Sequence, residues 1–195
     1  MDNMPQTIGI FMARVAAIGP AFEAQTKIGC MHISAFAKDK QIGIFSYPAD
    51  FAPGCIANMS GFALRKNEFT ELNTSLLELS TDSTPSHPGW LNHAREKTDA
   101  CFNVSIISYV AMKVPKLHGM LAPNENQTAA ARAVFFIGSI KKIGSSTHYF
   151  LNVGGNIGDI LQALVALQVF DKFKLALSPN HKRGNKAIAS PPKIR

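Results

Sequence analysis

An α/β fold, with helices crossing between the strands of a sheet, is predicted by three features of this sequence. Short apolar runs alternate with stretches of helical spacing along most of the chain. Over 195 residues, 46% hydrophobic against 17% charged gives enough apolar surface for one full core. After Phe173 the pattern dissolves into a segment punctuated by Pro179, Gly184, Pro191 and Pro192. The expected organisation is one domain over 12–168 and a basic C-terminal arm over 169–195.

Gln41 to Tyr47 (QIGIFSY) reads as a buried strand stopped by Pro48. Phe62 to Leu72 has helical spacing, with Phe62, Phe69 and Leu72 on one side. Leu76 to Leu79 is a short strand ended by the polar cluster Ser80 to Ser86, and Pro88 to Lys97 a helix carrying Trp90. Phe102 to Ile107 is the next strand. Ala131 to Ile137 (ARAVFFI) is β-branched and aromatic as a central strand requires, and Tyr149 to Val153 is its expected partner. Asn156, with Asp159 three residues on, caps a last helix that Ile160, Leu161, Leu164, Leu167 and Gln168 continue.

Composition excludes several classes of protein. Three cysteines cannot staple a disulfide scaffold, and they suit reduced thiols in a cytoplasmic chain. No run approaches the roughly 20 apolar residues of a membrane span, and residues 8–22 contain Arg14 and lack the form of a secretory leader. Neither the six histidines nor the cysteines show metal-ligand spacing, so no metal and no cofactor is expected. The formal charge is +7, and +6 of it lies in 169–195. Such an arm could seek phosphate. After Phe173, however, no aromatic residue is interleaved for stacking on bases, so nucleic acid is not an expected partner and the arm reads as lying over a neighbouring subunit.

Chemistry concentrates at Cys55. The strand ending at Tyr47 leads through Pro48-Ala49-Asp50-Phe51-Ala52-Pro53-Gly54 to Cys55, and a helical pattern starts there. A thiol in the first turn of a helix meets free N–H groups and the positive end of the dipole, which favour the thiolate. Position alone leaves two readings open, a nucleophile and an inert buried thiol.

Several ordered stretches resemble one family. QIGIFSYPADFAPGC is similar to the peroxidatic-cysteine motif of peroxiredoxins, P-x-x-x-T/S-x-x-C. Pro20 to Ala24 (PAFEA) resembles that family's N-terminal element, and Leu79 to Trp90 (LSTDSTPSHPGW) its strand and SH-x-x-W helix. Arg132 to Ile137 (RAVFFI) resembles the strand bearing its active-site arginine, and Val153 to Gln168 its late helix. The likeness spans about residues 15–192. It implies a thioredoxin-like fold with a central mixed sheet flanked by helices, and a thiol peroxidase in which Cys55 attacks a peroxide oxygen and becomes a sulfenic acid. On the same resemblance Arg132 activates the thiol, Pro48 shields it, and Pro48, Ala52 and Gly54 line the substrate site. Partners so implied are a peroxide, an external thiol reductant and further copies of the chain, as a homodimer or larger ring.

Three positions depart from the pattern. The motif's Thr or Ser is Ala52, the acidic residue three after the cysteine is Asn58, and a second arginine is replaced by Gly155. No resolving cysteine follows Cys101, which implies a one-cysteine mechanism. Cys30 and Cys101 read as incidental thiols. The alternative to a peroxidase is a catalytically degenerate relative acting as an oligomeric structural or client-binding protein.

Overall fold

All of Gln41–Tyr47 is buried, as a strand covered on both faces must be, and the sheet is built around it. The computed structural model describes residues 15–19, 22–26, 29–37, 40–98, 102, 105–108, 121–122, 126–130, 132–138, 140–150 and 152–189. In chain order the elements are β1 (Glu23–Thr26), β2 (Gly29–His32), α1 (Ile33–Ala37), β3 (Gln41–Tyr47), α2 (Pro53–Leu64), α3 (Lys66–Glu71) and β4 (Thr74–Ser80). They continue with α4 (His87–Thr98), β5 (Ser105–Ser108), β6 (Leu121–Ala122), β7 (Asn126–Ala130), β8 (Arg132–Ile137), β9 (Ile143–Tyr149) and α5 (Ile157–Phe173).

Among the described residues one sheet has seven strands in the order β2-β1-β5-β4-β3-β8-β9, and β6 pairs only with β7. β3, β4 and β5 are parallel, whereas β8 and β9 run antiparallel, so the sheet is mixed. Alternation along β3 sends Ile42 and Ile44 to one face, where they pack with Leu77, Leu79, Phe135 and Phe22. Phe45 and Tyr47 point to the other. There Phe45 stacks on Phe62 of α2 at 4.1 Å between ring centroids, and Tyr47 on Trp90 of α4 at 5.0 Å. These two pairs seat both helices over the C-terminal half of β3.

Four expectations need adjustment. The helical spacing from Phe62 to Leu72 is divided between α2 and α3, because the backbone leaves helical geometry at Arg65 (φ −103°, ψ 15°). The strand after Phe102 is Ser105–Ser108, with Phe102 buried outside it. The partner of β8 is Ile143–Tyr149 rather than Tyr149–Val153. This strand lies at a sheet edge and is only partly buried, so IGSSTHY lacks the apolar signal of a core strand. Helix α5 does begin at an Asn156 cap, whose Oδ1 accepts from the N–H groups of Gly158 (3.0 Å) and Asp159 (3.3 Å). It continues past residue 168 to Phe173 and stops where Lys174 turns left-handed at φ 55°, so the boundary expected at 168 falls inside a helix. Of the expected Pro20 to Ala24 element, Phe22 is buried and Glu23 opens β1, whereas Pro20 and Ala21, like Pro191 and Pro192, lie outside the described residues.

The core holds a buried acid. Glu78 of β4 sits opposite Phe45 and Ile106 on the face beneath α2 and α4. It is 0% exposed, and among the described residues neither carboxyl oxygen has a hydrogen-bond partner. Burial, reinforced by the charge of Asp50, holds its carboxyl well above the usual carboxylate range. Above the unfolded-state value near 4.5 the unfolded chain releases this proton while the folded chain keeps it. Stability is therefore lost as pH rises. Glu78→Met, close in shape and apolar, is expected to stabilise the fold by about 1–3 kcal/mol at pH 7, with a smaller gain at pH 4. Urea unfolding at the two pH values checks this, and a destabilised Met variant would contradict it.

Candidate active site

Ligands of open α/β sheets gather beyond the C-terminal ends of parallel strands. Here those ends are Tyr47, Ser80 and Ser108, the last residues of β3, β4 and β5, adjacent in register. The chain leaving β3 passes Pro48, turns through Phe51 in a left-handed conformation (φ 62°), and enters α2 at Ala52. Ala52 is the N-cap and offers no side-chain hydrogen bond, Pro53 occupies the first helical position, and Cys55 the third. The amide of Cys55 bonds to the Ala52 carbonyl at 2.9 Å. The sequence placement of Cys55 in the first turn is thus correct.

Arg132 reaches the same point from the other side. Because β8 runs antiparallel to β3 with Val134 opposite Phe45, its first residue is carried to the C-terminal end of β3. The Arg132 side chain is buried, at 2% exposure. Its Nη1 donates to the Gly54 carbonyl at 3.1 Å, and its Nη2 lies 3.9 Å from Cys55 Sγ. Gly54 has a steric reason to be glycine, since a Cβ there would stand 3.2 Å from Arg132 Nη2. Pro48 is half-buried, and its carbonyl accepts from Thr81 Oγ1 at 3.1 Å, which fixes the start of the loop.

The electrostatics correct the expectation of a ready thiolate. Cys55 is 1% exposed. Loss of water is the largest influence on it and raises its pKa. A hydrogen bond from the Ala49 backbone and the charge and hydrogen bond of Arg132 lower it, and Asp50 opposes them. The balance leaves the thiol above the ordinary cysteine value. A sequence reading sees the helix terminus but not the burial. In this closed geometry Arg132 offsets part of a desolvation penalty rather than producing a free thiolate.

Sequence reasoning missed a polar cluster that holds the loop. Asp50 Oδ1 accepts from Tyr47 Oη (3.0 Å) and Ser80 Oγ (3.2 Å), and its Oδ2 from Ser86 Oγ (2.6 Å). The same Oδ2 meets His87 Nδ1 at 3.0 Å, with both side chains 3% exposed. His87 Nε2 in turn lies 2.7 Å from Ser108 Oγ, which accepts from Thr84 Oγ1 at 2.8 Å. The cluster thus ties the Cys55 loop to all three parallel strands and to the start of α4. The available signal was an Asp in an otherwise apolar loop together with the Ser86-His87 pair opening a helix.

Two of the departures face each other. Asn58 Oδ1 accepts from the Gly155 N–H at 2.8 Å, so α2 is joined to the segment before α5 without charge. An added Cβ at Gly155 would stand 3.2 Å from Tyr149 Cε2, closer than an ordinary contact. Among the described residues no group of three or more His, Cys, Asp or Glu could hold a metal ion.

Comparison with known proteins decides the family. The AhpC/TSA family model matches residues 15–146. Peroxiredoxin 2 of Caldanaerobacter subterraneus subsp. tengcongensis is 33% identical over 99% of this chain and 86% of its own length. The chain belongs to the peroxiredoxins. A 1-Cys peroxiredoxin of Dictyostelium discoideum is 30% identical over 94% of this chain and 76% of its own. A yeast mitochondrial 1-Cys peroxiredoxin superposes with a TM-score of 0.84 at 30% identity, over 91% of this chain and 87% of that one. Peroxiredoxin 6 of Arenicola marina, as a cysteine-to-serine variant, shares the fold with a TM-score of 0.85 at 24% identity, over 91% and 84% of the two chains. The protein is thus a thiol peroxidase of thioredoxin-like fold. No described helix of this peroxiredoxin is long and apolar enough to cross a membrane.

The Asp50 cluster gives this peroxiredoxin a second pH response, opposite in sign to that of Glu78. Burial alone would raise the Asp50 carboxyl. Hydrogen bonds from His87, Ser86 and Tyr47, with the charge of His87, outweigh it and hold the carboxyl below its ordinary value of 3.8. Its stabilisation is present above that value and lost as pH falls through the lower folded-state one. Asp50→Asn is expected to cost about 1.5–3 kcal/mol at pH 7 and less at pH 3, as read by urea unfolding. An Asn variant as stable as the parent at pH 7 would refute the assignment.

Proposed function

We propose that the chain reduces hydrogen peroxide or small organic hydroperoxides at Cys55 by a one-cysteine mechanism, with an external thiol restoring the enzyme. The observation that carries this reading is the buried contact between Cys55 Sγ and Arg132 Nη2 at 3.9 Å. The thiolate attacks the nearer peroxide oxygen, the O–O bond breaks, and its electron pair leaves with the distal oxygen as alkoxide or hydroxide. Arg132 faces the charge as it develops, and a proton completes the alcohol or water. The Gly54 N–H, at the second helical position, has no carbonyl partner within α2 and is a further donor at this end of the helix. The sulfenic acid of Cys55 then condenses with a reductant thiol, releasing water. A second thiol cleaves the mixed disulfide and returns Cys55 to its reduced state.

A one-cysteine cycle is supported by where Cys30 lies. It is exposed on β2, at the far edge of the sheet, and four strand spacings separate β2 from β3. At about 4.8 Å per step that is roughly 19 Å, whereas a disulfide needs Cα atoms within about 7 Å. Cys101 lies outside the described residues. The yeast relative named above is described as resolving its thiol through glutathione and thioredoxin systems, and a small or protein thiol of that kind is the reductant proposed here.

One observation favours the competing reading, a degenerate peroxiredoxin kept as an oligomeric structural or client-binding protein. Ala52 leaves the N-cap of α2 without a hydroxyl, where the family's Thr or Ser would stand. One substitution tests both readings. Ala52→Thr is expected to raise the second-order rate of Cys55 oxidation by hydrogen peroxide at least tenfold, since one such donor is worth on the order of 10² to 10³ in rate. It should also stabilise the protein by about 0.5–2 kcal/mol as an N-cap. The parent should turn over with an added thiol, and the Cys30→Ser/Cys101→Ser variant should match it. A parent rate no faster than a free thiol, with no response to Ala52→Thr, would favour the degenerate reading.

A further inference from the structure

A cavity lies at the opposite end of the sheet from Cys55. It is an open cleft with a volume of about 570 Å³, lined by the C-terminal half of α5, Leu72 after α3, and the returning arm at 175–187. Gln168 in its wall bonds to both Gln41, the first residue of β3, and Leu72, whereas Cys55 stands beyond Tyr47 at the other end of that strand. Seven residues of strand separate the two ends, roughly 20 Å.

The lining of this cavity combines hydrocarbon and cationic side chains. Val165, Val169, Phe173 and Leu175 give it hydrocarbon walls, while Lys172, Arg183 and His181 supply its nitrogen donors. Among the described residues no acidic side chain lines it. The nearest acid in sequence, Asp171, is taken up by Gln41 Nε2 at 3.3 Å and Lys174 Nζ at 3.8 Å. Gln168, also in the wall, is satisfied by Gln41 Oε1 and the Leu72 carbonyl. The Lys172 ammonium stands 5.1 Å from the centroid of the Phe173 ring, which holds its charge beside the cavity wall.

His181 is the decisive residue. It is 3% exposed, and its Nδ1 has no hydrogen-bond partner among the described residues. A buried ring nitrogen wants a partner, and when Nδ1 carries the proton it can donate to an oxygen held in the cavity that His181 lines; the lysine and arginine of the same lining make an anionic oxygen the best match. The arm is held in this position by a bridge in which the amides of Ala176 and Ile188 each bond to the other's carbonyl, at 3.0 and 2.8 Å. The volume is in the range of small-molecule sites, and the combination of apolar walls with a few convergent polar groups is their usual form.

We propose that this cavity binds an anionic amphiphile, a carboxylate or phosphate head on a short hydrocarbon chain, with the head on His181, Lys172 and Arg183 and the chain against α5. The site is separate from the peroxide site and does not depend on the reading of Cys55. It also gives part of the arm's positive charge a use other than nucleic acid.

Calorimetric titration of the full chain with octanoate and with octyl phosphate tests this and distinguishes the two heads. One equivalent of at least one of them should bind, more weakly as salt is added. Acetate, inorganic phosphate and octylammonium should bind at least tenfold more weakly. Lys172→Gln/Arg183→Gln changes only exposed side chains and should weaken binding at least tenfold, leaving the rate of Cys55 oxidation unchanged. His181→Phe keeps the bulk, removes the nitrogen and should weaken binding severalfold. Absence of binding by both anions at millimolar concentration, equal binding of octylammonium, or full affinity in the double variant would overturn the proposal.

Discussion

The functional end of this molecule depends on one contact between a desolvated sulfur and a desolvated guanidinium. Cys55 and Arg132 are each almost wholly removed from water, and each is costly to bury in its charged form. They come together because a helix that starts on Pro53 and a strand that runs back along β3 end at the same point. Burial pushes the thiol up and the arginine pulls it down, with burial the stronger. Burial and the arginine thus act on the sulfur in opposite directions, so substitutions around the pair act through geometry as well as through charge. Gly54 illustrates this, since its missing side chain leaves room for the guanidinium.

The elements around that contact are held mainly by polar groups. Asp50 gathers Tyr47, Ser80, Ser86 and His87, and so pins the loop that delivers Cys55 to the ends of the parallel strands. Asn58 and Gly155 form a neutral link between α2 and the segment before α5, the Asn58 Oδ1 accepting from the Gly155 N–H, so that no unpaired carboxylate stands there.

Much of the fold could be read in the sequence wherever local and tertiary signals agree. β3 is apolar because both its faces are covered, and the start of α5 is marked by Asn156 with Asp159 because the cap is a local hydrogen-bond problem. β9 was misplaced because an edge strand with one face in solvent carries Ser145, Ser146 and His148 as readily as a loop does. At the site, Cys55, Gly54, Pro48 and Arg132 were named from motif and position, and the structure joins Cys55, Gly54 and Arg132 by contact. Asp50 and His87 were missed because they are 37 residues apart and meet only through the order of the strands. Glu78 was missed for a related reason, since a single acid in a strand reads as a solvent-facing position until a helix is known to cover it.

The most direct test is to titrate the Cys55 thiol by the pH dependence of its alkylation, with Cys30 and Cys101 replaced by serine, in the presence and absence of the guanidinium. The account predicts that Cys55 titrates on the alkaline side of an ordinary cysteine, and that Arg132→Met moves it further up, with a fall in reactivity at pH 7. A thiol that titrates at the same pH with and without Arg132 would show that the contact does not govern the sulfur.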